Sequence, residues 1–236
     1  YTLIGGATLL VAVIWLQSLA GNIDFVATGV LDQLPARVHP QLRVIFALLI
    51  IGFGVKAALV PLHGWLPPAM AAPAPVSALL HAVAVVKAGA FGIIRVVYDI
   101  YGVEFSERMG LLGYLAAAAG ITIIYGSVRA LFQDDLKRRL AFSTVSQVSY
   151  IALGVAVFGS MASIGGAVHL VHQGIMKITL FFCAGNYAET LRIHKVSEMN
   201  GVARRMPLTT AAFTVGALGM IGVPPIAGFF SKWYIG

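Results

Sequence analysis

Seven runs of about twenty mostly apolar residues divide this chain, and that pattern decides what it can fold into. They cover about 1–19, 41–60, 76–98, 109–132, 140–158, 162–185 and 207–234. Apolar segments of this length cross a bilayer as helices, because lipid offers no partner to an open backbone. The chain is 59% hydrophobic and 11% charged, whereas soluble domains carry roughly 25% charged residues. The reading is an all-α, polytopic transmembrane helical bundle of about seven spans. The first run lacks a basic leader and a small-residue cleavage site, so it is not a signal peptide. Tyr1 already lies inside an apolar run, and the sequence stops just after a Lys-Trp-Tyr cluster. The chain is therefore expected to be an excerpt of a longer protein.

A net charge of +7 would fit a nucleic-acid partner if the charges formed a groove. They do not. Most sit in short loops between the runs, where positive charge orients helices in a bilayer. One set of alternate loops holds Arg129, Lys137, Arg138, Arg139, Arg192, Lys195, Arg204 and Arg205. The other holds only Arg37, Arg43, Arg95 and Arg108. The first set should be cytoplasmic, in a cell inner (plasma) membrane. The single cysteine, Cys183, excludes an internal disulfide and a cysteine-cluster metal site.

Within the apolar runs stand residues that lipid does not tolerate: Lys56, Lys87, Lys177 and Lys232, with His81, His169 and His172. A lysine at the bilayer centre costs at least about 2.5–3.5 kcal/mol on insertion scales. One lysine can snorkel or bond to backbone carbonyls; four in four runs point to a relay of titratable groups. Low dielectric disfavours the charged form of an amine, which lets a buried lysine exchange protons near neutral pH. All nine acidic residues fall in loops or near span ends. The lysines therefore lack a counter-ion here, and some must be neutral or paired outside this chain.

His169 and His172 share a helix face, with Lys177 about 80° round. A zinc site would need two more ligands, and only His63 and His81, in other segments, are candidates. Core histidines bonded to backbone are the plain alternative. A proton-handling cluster fits the titration range of imidazole. His81 and Lys87 are about 120° apart on a regular helix, so both face one path only if that path is wide or the helix is distorted.

Two runs carry proline breaks: Pro61 after Lys56, and Pro224 and Pro225 before Lys232. Proline removes a backbone bond and clashes with the preceding turn. In transporters, broken spans recur at matching positions of inverted repeats and line water-filled sites. A simple packing kink is the alternative.

The motifs Ala71-Ala-Pro-Ala-Pro-Val-Ser-Ala-Leu-Leu-His81 with Val86-Lys-Ala-Gly89, Asp135-Leu-Lys-Arg-Arg-Leu-Ala-Phe-Ser-Thr-Val-Ser-Gln147, His169-Leu-Val-His-Gln-Gly-Ile-Met-Lys177 with Leu180-Phe-Phe-Cys-Ala-Gly185, and Gly222-Val-Pro-Pro-Ile-Ala-Gly-Phe-Phe-Ser-Lys232 occur in order along nearly the whole chain. Together they resemble the antiporter-like membrane subunits of respiratory complex I, Mrp-type sodium/proton antiporters and membrane-bound hydrogenases. The resemblance implies a protein of about fourteen spans with two inverted repeats. Residues 1–98 would be the last three helices of the first repeat, and 109–236 the first four of the second. It implies transfer roles for Lys56, His81, Lys87, Lys177 and Lys232, with a glutamate partner of Lys56 upstream of Tyr1; with His169 and His172 from the residue reading, the expected path is Lys56, His81, Lys87, His169, His172, Lys177 and Lys232. His172 lies five residues before Lys177, where many complex I members place a histidine four before; that pattern looks more like the Mrp-type D subunits. The implied partners are other membrane subunits of an antiporter or respiratory complex, protons, and sodium. The chain shows no motif for a flavin, iron–sulfur cluster, quinone, resident metal or other cofactor, and no catalytic redox site. A non-transporting anchor and a histidine-based metal hydrolase are the readings from other classes.

Overall fold

The computed structural model describes residues 2–21, 23–25, 29–82, 84–157 and 159–236. Tyr1 at the expected start of the first run, Asn22 in the following loop, Val83 inside the third run and Phe158 at the end of the fifth lie outside them. The described parts of all seven runs are helical apart from breaks in the second, third and seventh, and two loops add short helices. The helices are α1 (Thr2–Ala20), α2 (His39–Ala57), α3 (Ala74–Ala82), α4 (Val85–Arg95), α5 (Val103–Arg108), α6 (Leu111–Leu131), α7 (Leu136–Ala156), α8 (Ser160–Leu191), α9 (Val202–Arg205), α10 (Pro207–Ile221) and α11 (Ala227–Ile235). No β-strand occurs among the described residues. The chain is an integral, multi-pass helical membrane protein.

Five segments are long and apolar enough to cross a membrane by themselves. α7 and α10 are the exceptions, each for a physical reason. α7 has the length, 21 residues, but carries Lys137, Arg138 and Arg139 in its first turn and serines and a glutamine along its body. It is buried between α6 and α8, so its polar side chains meet protein and not lipid. α10 has only 15 residues, because the run is interrupted before α11.

Three expected spans differ in detail. The second helix stops at Ala57 and not at Pro61. Ala58 adopts a left-handed φ of 58°, a conformation that costs an L-residue about 1–2 kcal/mol. Its N–H bonds Val55 O, and the Leu59 N–H bonds Gly54 O, which closes the helix end with paired reverse hydrogen bonds. The third run is two helices. The Ala84 N–H reaches Leu79 O, five residues back, and the chain widens again into a π-helical turn at Val96–Tyr101. The sixth run is longer than expected, at 32 residues, or about 48 Å.

The helices approach closely through small residues, the usual device where lipid supplies no hydrophobic drive between helices. Gly89 on α4 leaves no room for a Cβ against the Lys56–Ala57 backbone of α2. Gly228 on α11 leaves none against the Gly219 carbonyl of α10.

The loops gather at two ends. At one, Arg108 pairs with Asp32 at 2.6 Å and the Val30 N–H bonds Ile100 O. At the other, the segment before α7 is clasped to the one after α8: Leu136 N–H to His194 O, Val196 N–H to Asp134 O, and Ser197 N–H and Oγ to the Asp134 carboxylate. Those Ser197 hydrogen bonds hold the Asp134 carboxyl below the usual carboxylate range. Glu198, which accepts from the His194 and Lys195 N–H groups, is lowered in the same way.

Candidate functional site

α8 is the spine of the site. It packs against α3, α7, α10 and α11. The buried basic side chains His81, Lys87, His169 and Lys177 lie on it or reach it.

Lys177, midway along α8, is wholly buried. Its Nζ donates to Leu140 O at 2.9 Å and to Ser143 Oγ, both on α7. Ser143 in turn donates to Leu140 O at 2.9 Å. Hydrogen bonds to a charged group contribute about 1.5–3 kcal/mol each, enough to offset much of the cost of inserting a lysine. Lys87, on α4, donates its Nζ to Leu170 O on α8. It passes Gly174, where a Cβ would stand 4.0 Å from the lysine Cε. His81, on α3, is wholly buried and stacks on Phe181 with ring centroids 4.8 Å apart. The interruption between His81 and Lys87 is the helix distortion that lets both meet α8.

His169 lies two turns before Lys177. Its Nδ1 is 2.8 Å from Ser231 Oγ on α11, and both residues are wholly buried. Lys232, next to Ser231, donates to Met220 O at 2.6 Å and weakly to Ile221 O at 3.4 Å. These are the last carbonyls of α10, where the helix dipole favours a cation. The Lys232 nitrogen also lies 4.9 Å from the centre of the Tyr150 ring, and the other side of the cluster is His169, 5.9 Å from Tyr150. His172 is half-buried and borders a cavity of about 170 Å³ with Met176, Thr179 and Ile226.

These groups follow one another along α8: His81 stacks on Phe181 one turn beyond Lys177, Lys87 bonds Leu170 O next to His169, and Lys232 follows the Ser231 that meets His169. Lys56 stands apart. It is exposed at the end of α2. Between the α7 and α8 members, the contacts Ser143–Lys177 and Gly154–Gly166 set an antiparallel register. That register puts Gln147 level with Gln173. Gln173 is wholly buried, and neither of its amide atoms, nor Gln147 Oε1, nor either ring nitrogen of His81, has a hydrogen-bond partner in the protein. Buried polar groups of this kind are normally satisfied by internal water.

Residues 1–235 match the family model described as NADH:quinone oxidoreductase/Mrp antiporter, transmembrane. The chain belongs to that family. It is 39% identical to NADH-quinone oxidoreductase subunit N of Desulforudis audaxviator, over all of this chain and 47% of that protein. It is 36% identical to hydrogenase-4 component B of Escherichia coli, over 98% of this chain and 35% of that one. A chain in the structure of the Mrp complex from Dietzia sp. DQ12-45-1b superposes with a TM-score of 0.85 at 28% identity, covering 99% of this chain and 42% of that one. The chain thus spans about half, or less, of the length of these relatives. Each is named as part of a larger assembly.

The sequence reading of this family member picked out the lysines and histidines but missed the groups that hold them. Ser143, Gln147 and Tyr150 form a polar stripe at helical spacing on α7, a signal that was available. Ser231 was hidden beside Lys232. Phe181, one turn beyond Lys177, gave no signal. Among the described residues, no group of three His, Cys, Asp or Glu side chains could hold a metal ion.

Proposed function

We propose that this chain is the middle part of a proton-translocating subunit of a multi-subunit monovalent cation/proton antiporter, set in the plasma membrane among other membrane subunits. The observation that carries the reading is the row of buried His81, Lys177, Lys87 and His169 with half-buried Lys232, in which the three lysines donate to carbonyl and hydroxyl oxygens and His169 bonds the Ser231 hydroxyl. Protons move along the row through side chains and internal water, with the orphaned Gln147 Oε1 and the Gln173 amide as stations for that water. His172 joins the row from its cavity. Lys56 joins through a carboxylate partner outside this chain, and breaking that pair shifts the charge balance of the others. In this reading 1–98 and 109–236 belong to two inverted repeats whose broken helices are those at Pro61 and at Pro224 and Pro225. Sodium is the cation exchanged by the assembly.

The likeness to a quinone oxidoreductase subunit favours a second reading, in which the same path serves the membrane arm of complex I or of a membrane-bound hydrogenase. The test is the full-length protein, purified with its native partners and placed in liposomes. The antiporter reading expects a sodium gradient alone to drive a pH gradient. A pH gradient driven only by NADH or hydrogen oxidation gives the second reading. No pH gradient under either drive contradicts both.

A further inference from the structure

The relay reading leaves open how Lys177 is held, and the geometry at the start of α7 answers it. Three side chains converge on one backbone oxygen: Lys177 Nζ, Ser143 Oγ and Thr144 Oγ1 each donate to Leu140 O at 2.9 Å. Ser143 has one hydroxyl hydrogen, and it points at Leu140 O. The same oxygen therefore meets Lys177 only as an acceptor. Two acceptors on α7 thus face one nitrogen on α8. An ammonium has three N–H donors and a neutral amine has two plus a lone pair. Both forms can fill the two acceptors, and in both the third position stays open.

We infer that Ser143 is a positioning residue for Lys177: with Leu140 O it forms a two-acceptor socket that fixes the lysine nitrogen and presents its third position for proton exchange. The step is a proton transfer alone. The third N–H bond breaks as the proton passes to an internal water, which hands a proton on along the row, and the lone pair left on the nitrogen takes the next proton from water. Without the Ser143 oxygen the nitrogen keeps one anchor and swings about it, so the third position is presented for only part of the time. Thr144 differs in kind. It donates to the same carbonyl but does not touch the lysine.

This inference rests on the relay reading, so the test includes a variant that separates the two. Full-length protein in its native assembly is placed in vesicles, and proton transport is followed as dye quenching across a range of pH. Assembly is checked on native gels. Ser143→Ala should lower transport about tenfold, the effect of losing one hydrogen bond to a charged group, and move its pH profile. Ser143→Thr, which keeps the hydroxyl, should restore rate and profile. Ser143→Cys keeps the size but offers a weak acceptor; it should show the Ala defect even if the Ala variant fails to assemble. Thr144→Val should transport normally. Normal rate and profile in the Ser143→Cys variant, while Lys177→Ala is inactive, would overturn the socket and spare the relay. A defect in Thr144→Val equal to that of Ser143→Ala would also overturn it, because packing would then explain both. Normal transport in Lys177→Ala would overturn the relay and the socket together.

Discussion

The two broken helices solve the same problem with different chemistry. Each exposes backbone groups at a break inside an apolar run, and each has a lysine close by. At the first break the groups are satisfied by neutral partners. Trp65 Nε1 donates to Val55 O at 2.7 Å, the Val60 N–H donates to Thr122 Oγ1 at 3.1 Å, and the Ala58 and Leu59 N–H groups close the turn. Lys56 has no part in this and stays exposed. At the second break the last carbonyls of α10 are taken by Lys232 itself. The helix end and the lysine are one unit there, so moving the charge and moving the helix are the same event. At the first break they are separable, and the lysine is left for a partner elsewhere.

The strongest way to break the comparison is to force the breaks apart. Gly228→Val should prevent accumulation of folded protein, because its Cβ meets the Gly219 backbone, which cannot yield as a side chain can; overpacking costs about 1–3 kcal/mol where neighbours can move, and more where they cannot. Western blots of the membrane fraction read this. Next is the pair of lysines. Lys232→Met removes a charge-assisted cap and should lower the assembly's stability by about 1.5–3 kcal/mol, seen as a lower thermal midpoint. Lys56→Met removes no hydrogen bond of its own break, so it should lower the midpoint by less than Lys232→Met does, and still reduce transport. Equal midpoints for both variants would erase the distinction. Smaller than the Lys232 effect is that of Trp65→Phe, which removes one neutral hydrogen bond at the first break. It should cost about 1 kcal/mol and leave the pH profile of transport in place.

The smallest effect belongs to the loop clasp at the α7 end. Asp134 has its carboxyl lowered by the Ser197 hydrogen bonds. A lowered carboxyl stabilises the folded state above the unfolded value and loses that contribution as pH falls through the folded one. The Ser197 amide should therefore stay protected from hydrogen exchange at neutral pH and lose protection only in acid below the usual carboxylate range. Asp134→Asn should flatten that dependence.

The apolar runs made the helical, membrane-spanning class legible, because lipid leaves a chain few alternatives. The basic residues within them were legible for the same reason: nothing but position was needed to see their cost. What escaped was set by tertiary contacts. The interruption between Ala82 and Val85 has no proline or glycine to announce it, and Ala58 turns left-handed without the glycine such a turn favours. The polarity of α7 is tolerated because α6 and α8 cover it. Lys56 looked equivalent to Lys177 in the sequence, yet one is exposed and the other wholly buried. Only packing separates them.

Lys177 is where the account is most exposed to test. The measurement is pH-gradient formation by full-length Lys177→Ala protein in its complete assembly, beside wild type at equal amounts. The account predicts an intact assembly with no transport through this subunit. An intact assembly that builds the wild-type gradient would contradict it.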